Sequence, residues 1–190
     1  MIRNWIKNKS ERKLIYIAIL ISIIIFIIAW WKVMHRSELL TNIGPHIQNG
    51  IQHGYLKMNP LKFYAKDKGS LGRLGVFAAF ILFPLYFLIR LKKLNDKKQL
   101  KRYLSKLLKW CKLIHVPISL ITFAFITVHS VIMTFFEWKT DAVYISGVIT
   151  YLLLLPLGIF GFLRYKRKDK NWHYYLSFAV VISMLIHTFV

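Results

Sequence analysis

Four of the seven histidines in this chain stand in two strongly apolar stretches: His115 and His129 in one, His173 and His187 in the other. An ionisable ring inside a stretch of membrane length is costly, which makes it a functional candidate by default. Each pair is 14 residues apart. On an α-helix that spacing returns a side chain to within roughly 40° of the same face, about 21 Å along the axis. Two such helices running in the same direction set His115 opposite His173 and His129 opposite His187. Two imidazoles facing each other at one depth can ligate one haem iron from both sides, and the repeat makes a second such site. With both axial positions filled, the chemistry is one-electron transfer. The four histidines are therefore the candidate cofactor-binding and iron-ligating residues for two haem b groups.

Other uses of these rings stay open at this level. Imidazoles can act as polar glue between helices, or reach water at an interface. Zinc or copper could use paired imidazoles, but would usually recruit a carboxylate or thiolate, and neither helix offers one at these levels except Cys111. Cys111 is the only cysteine, and no Cys-x-x-Cys-His stretch is present, so a haem would be held without a covalent link. Candidate propionate partners are Arg73 near the second apolar segment and Lys109, Lys112 and Arg164 near the others, against the plainer reading of topology-setting charges. Gly72, Gly75, Gly147, Gly158 and Gly161 could admit a flat macrocycle or simply close helix packing. Pro84, Pro117 and Pro156 lie within apolar segments, where neighbouring helices can satisfy the freed carbonyls.

The elements that must position these residues are membrane helices. The chain is 56% hydrophobic over 190 residues, too apolar for a soluble domain that has to cover its core with polar surface. Five windows have the roughly 20 apolar residues needed to span a bilayer: about 14–33, 71–91, 112–135, 142–163 and 172–190. The fold class expected is an all-α polytopic bundle forming a single membrane domain over 1–190, with the first segment retained rather than cleaved. Segments 1–13, 90–112 and 164–170 hold 5, 10 and 5 of the 28 Lys and Arg residues. The positive-inside rule then puts the N-terminus in the cytoplasm and the C-terminus outside, as for a multi-pass protein of the cell membrane.

The formal charge of +21 sits in short inter-helix segments instead of along one exposed face, so no nucleic-acid partner is expected. Residues 92–111 read as a basic cytoplasmic loop, suited to an acidic partner or to anionic lipid. Residues 34–70 read as an external loop, with Leu40, Ile43, Ile47 and Ile51 at the spacing of a short surface helix and 59–70 as polar loop. His35, His46 and His53 belong to that loop, as solvated side chains or as a further metal or quinone site.

Two outward-running helices with one helix between them, each carrying His-x13-His, resemble the transmembrane part of the ferric reductase and NADPH oxidase group. More loosely, they resemble small bacterial cytochrome b subunits. The local texts are Lys112-Leu-Ile-His115, Trp172-His173-Tyr-Tyr-Leu-Ser177 and Leu185-Ile-His187, and the resemblance covers about 107–190. It implies that the four histidines are axial ligands and that the activity is electron transfer from an inner donor to an outer acceptor such as ferric iron, a flavoprotein or a quinone. That group continues into a sixth helix and flavin and nicotinamide domains, whereas Val190 is the last residue here. No Gly-x-Gly-x-x-Gly cradle is present, so the expected reductant is a quinol or a redox partner protein. The rival expectation is a non-redox transport or assembly protein whose histidines relay protons or bind metal.

Overall fold

The computed structural model describes residues 8–35, 60–90, 98–166, 168 and 171–190, and every regular element among them is α-helical. The helices are α1 (Lys9–Met34), α2 (Pro60–Phe80), α3 (Leu82–Arg90), α4 (Lys98–Phe136), α5 (Ala142–Tyr165) and α6 (Trp172–Phe189). With α2 and α3 taken as one span, five stretches are long and apolar enough to cross a membrane. Large apolar side chains such as Leu20, Ile27, Leu74, Leu152 and Ile182 are exposed. Such a surface suits hydrocarbon and not water. The buried core is correspondingly small: Ile25, Ala29, Leu61, Ala65, Ala124, Val128 and Ile132 join α1, α2 and α4.

Two elements extend past the bounds expected from sequence. Residues 60–70 are helical, not loop. Pro60 supplies the fixed φ of a helix start. Leu61 and Ala65 are fully or nearly fully buried, and Gly72 and Val76 continue that face against α4. Gly69, which read as a loop residue, is instead a point of close helix approach. At the other end of the chain's charge pattern, 98–111 is the first part of the 39-residue α4 and not a loop. The surface helix expected over 40–51, together with His46 and His53, lies outside the described residues. His35 closes α1, its Nδ1 2.9 Å from the Trp31 carbonyl and its ring stacked on Trp31.

Proline accounts for the break in the second span. Pro84 has no N–H to give the Phe80 carbonyl, and its ring crowds that carbonyl. The helix parts at Ile81, between α2 and α3. α4 passes Pro117 and α5 passes Pro156 without interruption.

The helices sort into two groups. α1, α2 and α3 pack on α4, while α5 packs on α6, and the groups meet sparingly. Close backbone packing between α4 and α6, the two histidine-bearing helices, is nearly absent. Aromatic rings span the seam at one end, where Phe178 of α6 meets Phe80 at 5.1 Å and Phe83 at 4.7 Å.

Candidate functional site

Across the seam between α4 and α6, the histidines meet in two pairs. The ring centroids of His115 and His173 are 6.2 Å apart with planes at 87°. Those of His129 and His187 are 6.3 Å apart at 58°. All four rings are partly buried. Because α4 and α6 keep their backbones apart, it is the side chains that reach into the gap.

Each ring is held from behind by a helix carbonyl. Nδ1 of His115 lies 3.1 Å from the Ala79 oxygen, and Nδ1 of His129 lies 2.8 Å from the Ala65 oxygen, both on α2. Nδ1 of His173 lies 3.3 Å from the Leu157 oxygen, and Nδ1 of His187 lies 2.9 Å from the Val143 oxygen, both on α5. A carbonyl oxygen only accepts, so in each neutral ring the proton sits on Nδ1. Nε2 then carries the ring's lone pair, the one that can bind a metal. The acceptors repeat the ligand spacing: Ala65 and Ala79 are 14 residues apart, as are Val143 and Leu157.

Glycine gives the histidines access to these carbonyls. The carbonyl of residue i in a helix points toward residue i+4. Three acceptors have glycine at that position: Gly69 after Ala65, Gly147 after Val143 and Gly161 after Leu157. A Cβ at Gly69 would come within 2.7 Å of the His129 ring, at Gly147 within 2.9 Å of His187, and at Gly161 within 3.2 Å of His173. The fourth acceptor, Ala79, has Phe83 at i+4 and instead lies beside the helix break made by Pro84. A carbonyl has two lone pairs, so each can accept both its helix N–H and the histidine.

The geometry fits a metal held between two rings. Two metal–nitrogen bonds of about 2.0 Å and two imidazole radii of about 1.1 Å sum to about 6.2 Å. No group of three or more His, Cys, Asp or Glu side chains capable of holding a metal occurs among the described residues. Each pair is thus a two-imidazole site, which suits an iron whose remaining ligands come from a macrocycle better than a four-ligand zinc site.

At the His129–His187 pair lies a cavity of about 570 Å³, bounded also by Gly69, Gly147, Tyr151 and Met184, a size typical of cofactor pockets. Arg73 lines it, and so does Lys66, a cation that sequence reading placed in a loop. Ser146 adds a hydroxyl 3.2 Å from His187 Nδ1. The other candidate cations divide. Arg164 stands in the last turn of α5, three residues after Gly161, which seats the His173 ring. Lys112 and Lys109 line a different cleft, shared with Asn8 and Glu11 of the α1 start.

The remaining sequence candidates also separate. Gly147 and Gly161 seat histidine rings, while Gly72 and Gly75 bring α2 against Ile126 and Thr122 of α4. Gly158 faces open space. Cys111 is buried in α4. Gly69 was missed by sequence reading, yet its place four residues after a carbonyl acceptor is a signal that the paired-histidine pattern makes readable.

No protein-family model, curated protein or solved structure matches this chain. The functional reading rests on its own geometry.

Proposed function

We propose that this chain is a di-haem b-type cytochrome of the cell membrane. In this reading it carries electrons from a cytoplasmic-side donor, a quinol or a partner dehydrogenase, to an external acceptor such as ferric iron, a flavoprotein or a quinone. The observation that carries it is the fourfold repetition of one arrangement: a partly buried histidine, its Nδ1 against a helix carbonyl, its ring opposite a second histidine so held. Polar glue needs only one partner per ring and gives no reason for pairing rings across a seam at metal-spanning distance.

A haem held by His115 with His173, or by His129 with His187, would supply one-electron transfer. The chain's own residues do the rest. Ala65, Ala79, Val143 and Leu157 fix the tautomers, and the glycines and the Pro84 break give the rings room. Lys66 and Arg73 are suited to the carboxylates of a group in the His129–His187 cavity, and Arg164 to those of one at the His115–His173 pair. By the positive-inside rule, the His115–His173 pair lies toward the cytoplasm and the His129–His187 pair toward the exterior.

The test is a dithionite-reduced minus oxidised absorption spectrum of the detergent-purified chain, with haem quantified against protein. The expected result is a b-type spectrum with about two haems per chain. His129→Ala and His187→Ala should each leave about one, with the inner site retained. Two haems surviving in both variants would rule out the pairing.

A second reading draws on hydroxyls near the outer pair. Ser146 Oγ lies 3.2 Å from His187 Nδ1, and Thr150 Oγ1 and Ser183 Oγ are 2.7 Å apart. These groups could serve a proton relay in a non-redox transporter or assembly protein. A colourless chain from haem-replete cells would favour it.

A further inference from the structure

The first fifteen residues of α4 form a two-faced helix that the proposed cofactor sites do not use. Lys98, Lys101, Arg102, Lys106, Lys109 and Lys112 fall within an arc of about 140° at 100° per residue. Leu100, Tyr103, Leu104, Leu107 and Trp110 occupy the opposite arc. Tyr103 and Trp110 are 71% and 59% exposed, and large aromatic side chains beside cations are the usual anchors of protein interfaces.

We propose that this helix is the docking face for a separate acidic protein. On the cytochrome reading, on which this last step rests, that protein is the electron donor. The chain itself cannot supply the opposite charge. It has seven acidic residues against 28 Lys and Arg, and among the described residues Glu11 is the one carboxylate lining the cleft with Lys106, Lys109 and Lys112 at the base of the face. A second copy carries the same excess of positive charge, so it repels.

Distance argues against anionic lipid as the main occupant. α4 has 39 residues, about 58 Å of helix against about 30 Å of hydrocarbon. It stays beside α1 as far as Lys106, where both helices line one cleft, and continues beyond. Lys98 is about 21 Å along the axis from Lys112, while a lipid surface potential decays over a Debye length of about 8 Å at physiological salt. The outer cations therefore look past the headgroups, toward a soluble partner. His115 is about one helical turn from Lys112 on the same helix, so a protein on this face docks at the end of α4 nearer the His115–His173 pair.

The test places the full chain in nanodiscs of phosphatidylcholine alone, which carries no net charge. The probe is a labelled, oxidised flavodoxin, a small acidic one-electron carrier. Binding should be measurable and weaken at least about tenfold as salt rises from about 20 to about 300 mM. The combined variant Lys101→Glu, Arg102→Glu, Lys106→Glu should lose it, and the corresponding Gln variant should weaken it. Lys139→Glu, on an exposed residue between α4 and α5, should leave it unchanged. Equal binding by the Glu variant and the native chain would overturn the docking face. So would binding of the face only to vesicles containing phosphatidylglycerol. Because the readout does not require haem, charge-dependent binding by a colourless chain would uphold the docking face while removing the cytochrome reading.

Discussion

His187 shows how much of the site depends on residues that have no side-chain chemistry. Its Nδ1 lies 2.9 Å from the Val143 carbonyl because Gly147 leaves the space that a methyl group would fill, only 2.9 Å from the ring. The same holds for His129 over Gly69 and, less tightly, for His173 over Gly161. A graded series follows. Gly69→Ala and Gly147→Ala should each displace an outer ring at an overpacking cost of about 1–3 kcal/mol, reducing haem from about two to about one per chain. Gly161→Ala asks the His173 ring to yield by a few tenths of an ångström, and should shift the inner midpoint potential while keeping the haem. Gly158→Ala, in open space, should match the native chain. Haem-to-protein ratios and a potentiometric titration check all four.

Among the elements, the broken α2–α3 span differs from the others. Pro84 ends α2 just beyond Ala79, the acceptor for His115. Healing the break with Pro84→Ala restores a helix bond that proline denies, an effect of about 3 kcal/mol on the local helix. That bond is accepted by the Phe80 carbonyl, next to Ala79, so straightening the helix there should move the Ala79 carbonyl and weaken its hold on His115. A less strongly polarised imidazole is a poorer donor to a metal. The expected outcome is a shift in only one of two components in a redox titration, the one lost in His115→Ala. A shift of both components, or of neither, would show that the break serves packing alone. The aromatic bridge of Phe178 with Phe80 and Phe83 lies at this same end, so both features act on the inner site.

For the molecule as a whole, orientation decides what the sites can connect. Twenty of the 28 Lys and Arg residues lie in segments at the His115–His173 end, and on the proposed reading the positive-inside rule puts that end in the cytoplasm. The lone Cys111 allows a clean test. In a Cys111→Ser background, Trp138→Cys should react with a membrane-impermeant maleimide in intact cells, whereas Lys101→Cys should react only after the membrane is opened. The reverse pattern would invert donor and acceptor sides. It would also remove the cytoplasmic docking face.

Hydropathy and helical spacing were enough to read the all-helical class, the five membrane segments and the two levels at which histidines recur. Those properties follow from side-chain transfer into hydrocarbon and from 3.6 residues per turn, both local to the sequence. Reading by composition failed at 60–70 and 98–111. There, glycines and lysines suggested loop, and the tertiary structure makes helix because Leu61 and Ala65 bury against neighbours and because the lysines of α4 share one face. Only the fold could decide which histidine meets which, that α4 and α6 stand apart, that Lys66 joins the cavity, and that Lys112 lines a cleft with the start of α1. The carbonyls that hold the rings carry no sequence identity of their own, since every residue has one. What selects Ala65, Val143 and Leu157 is their position one turn before a glycine on a helix that packs beside a histidine, a relation between chains of contact that a linear sequence does not contain.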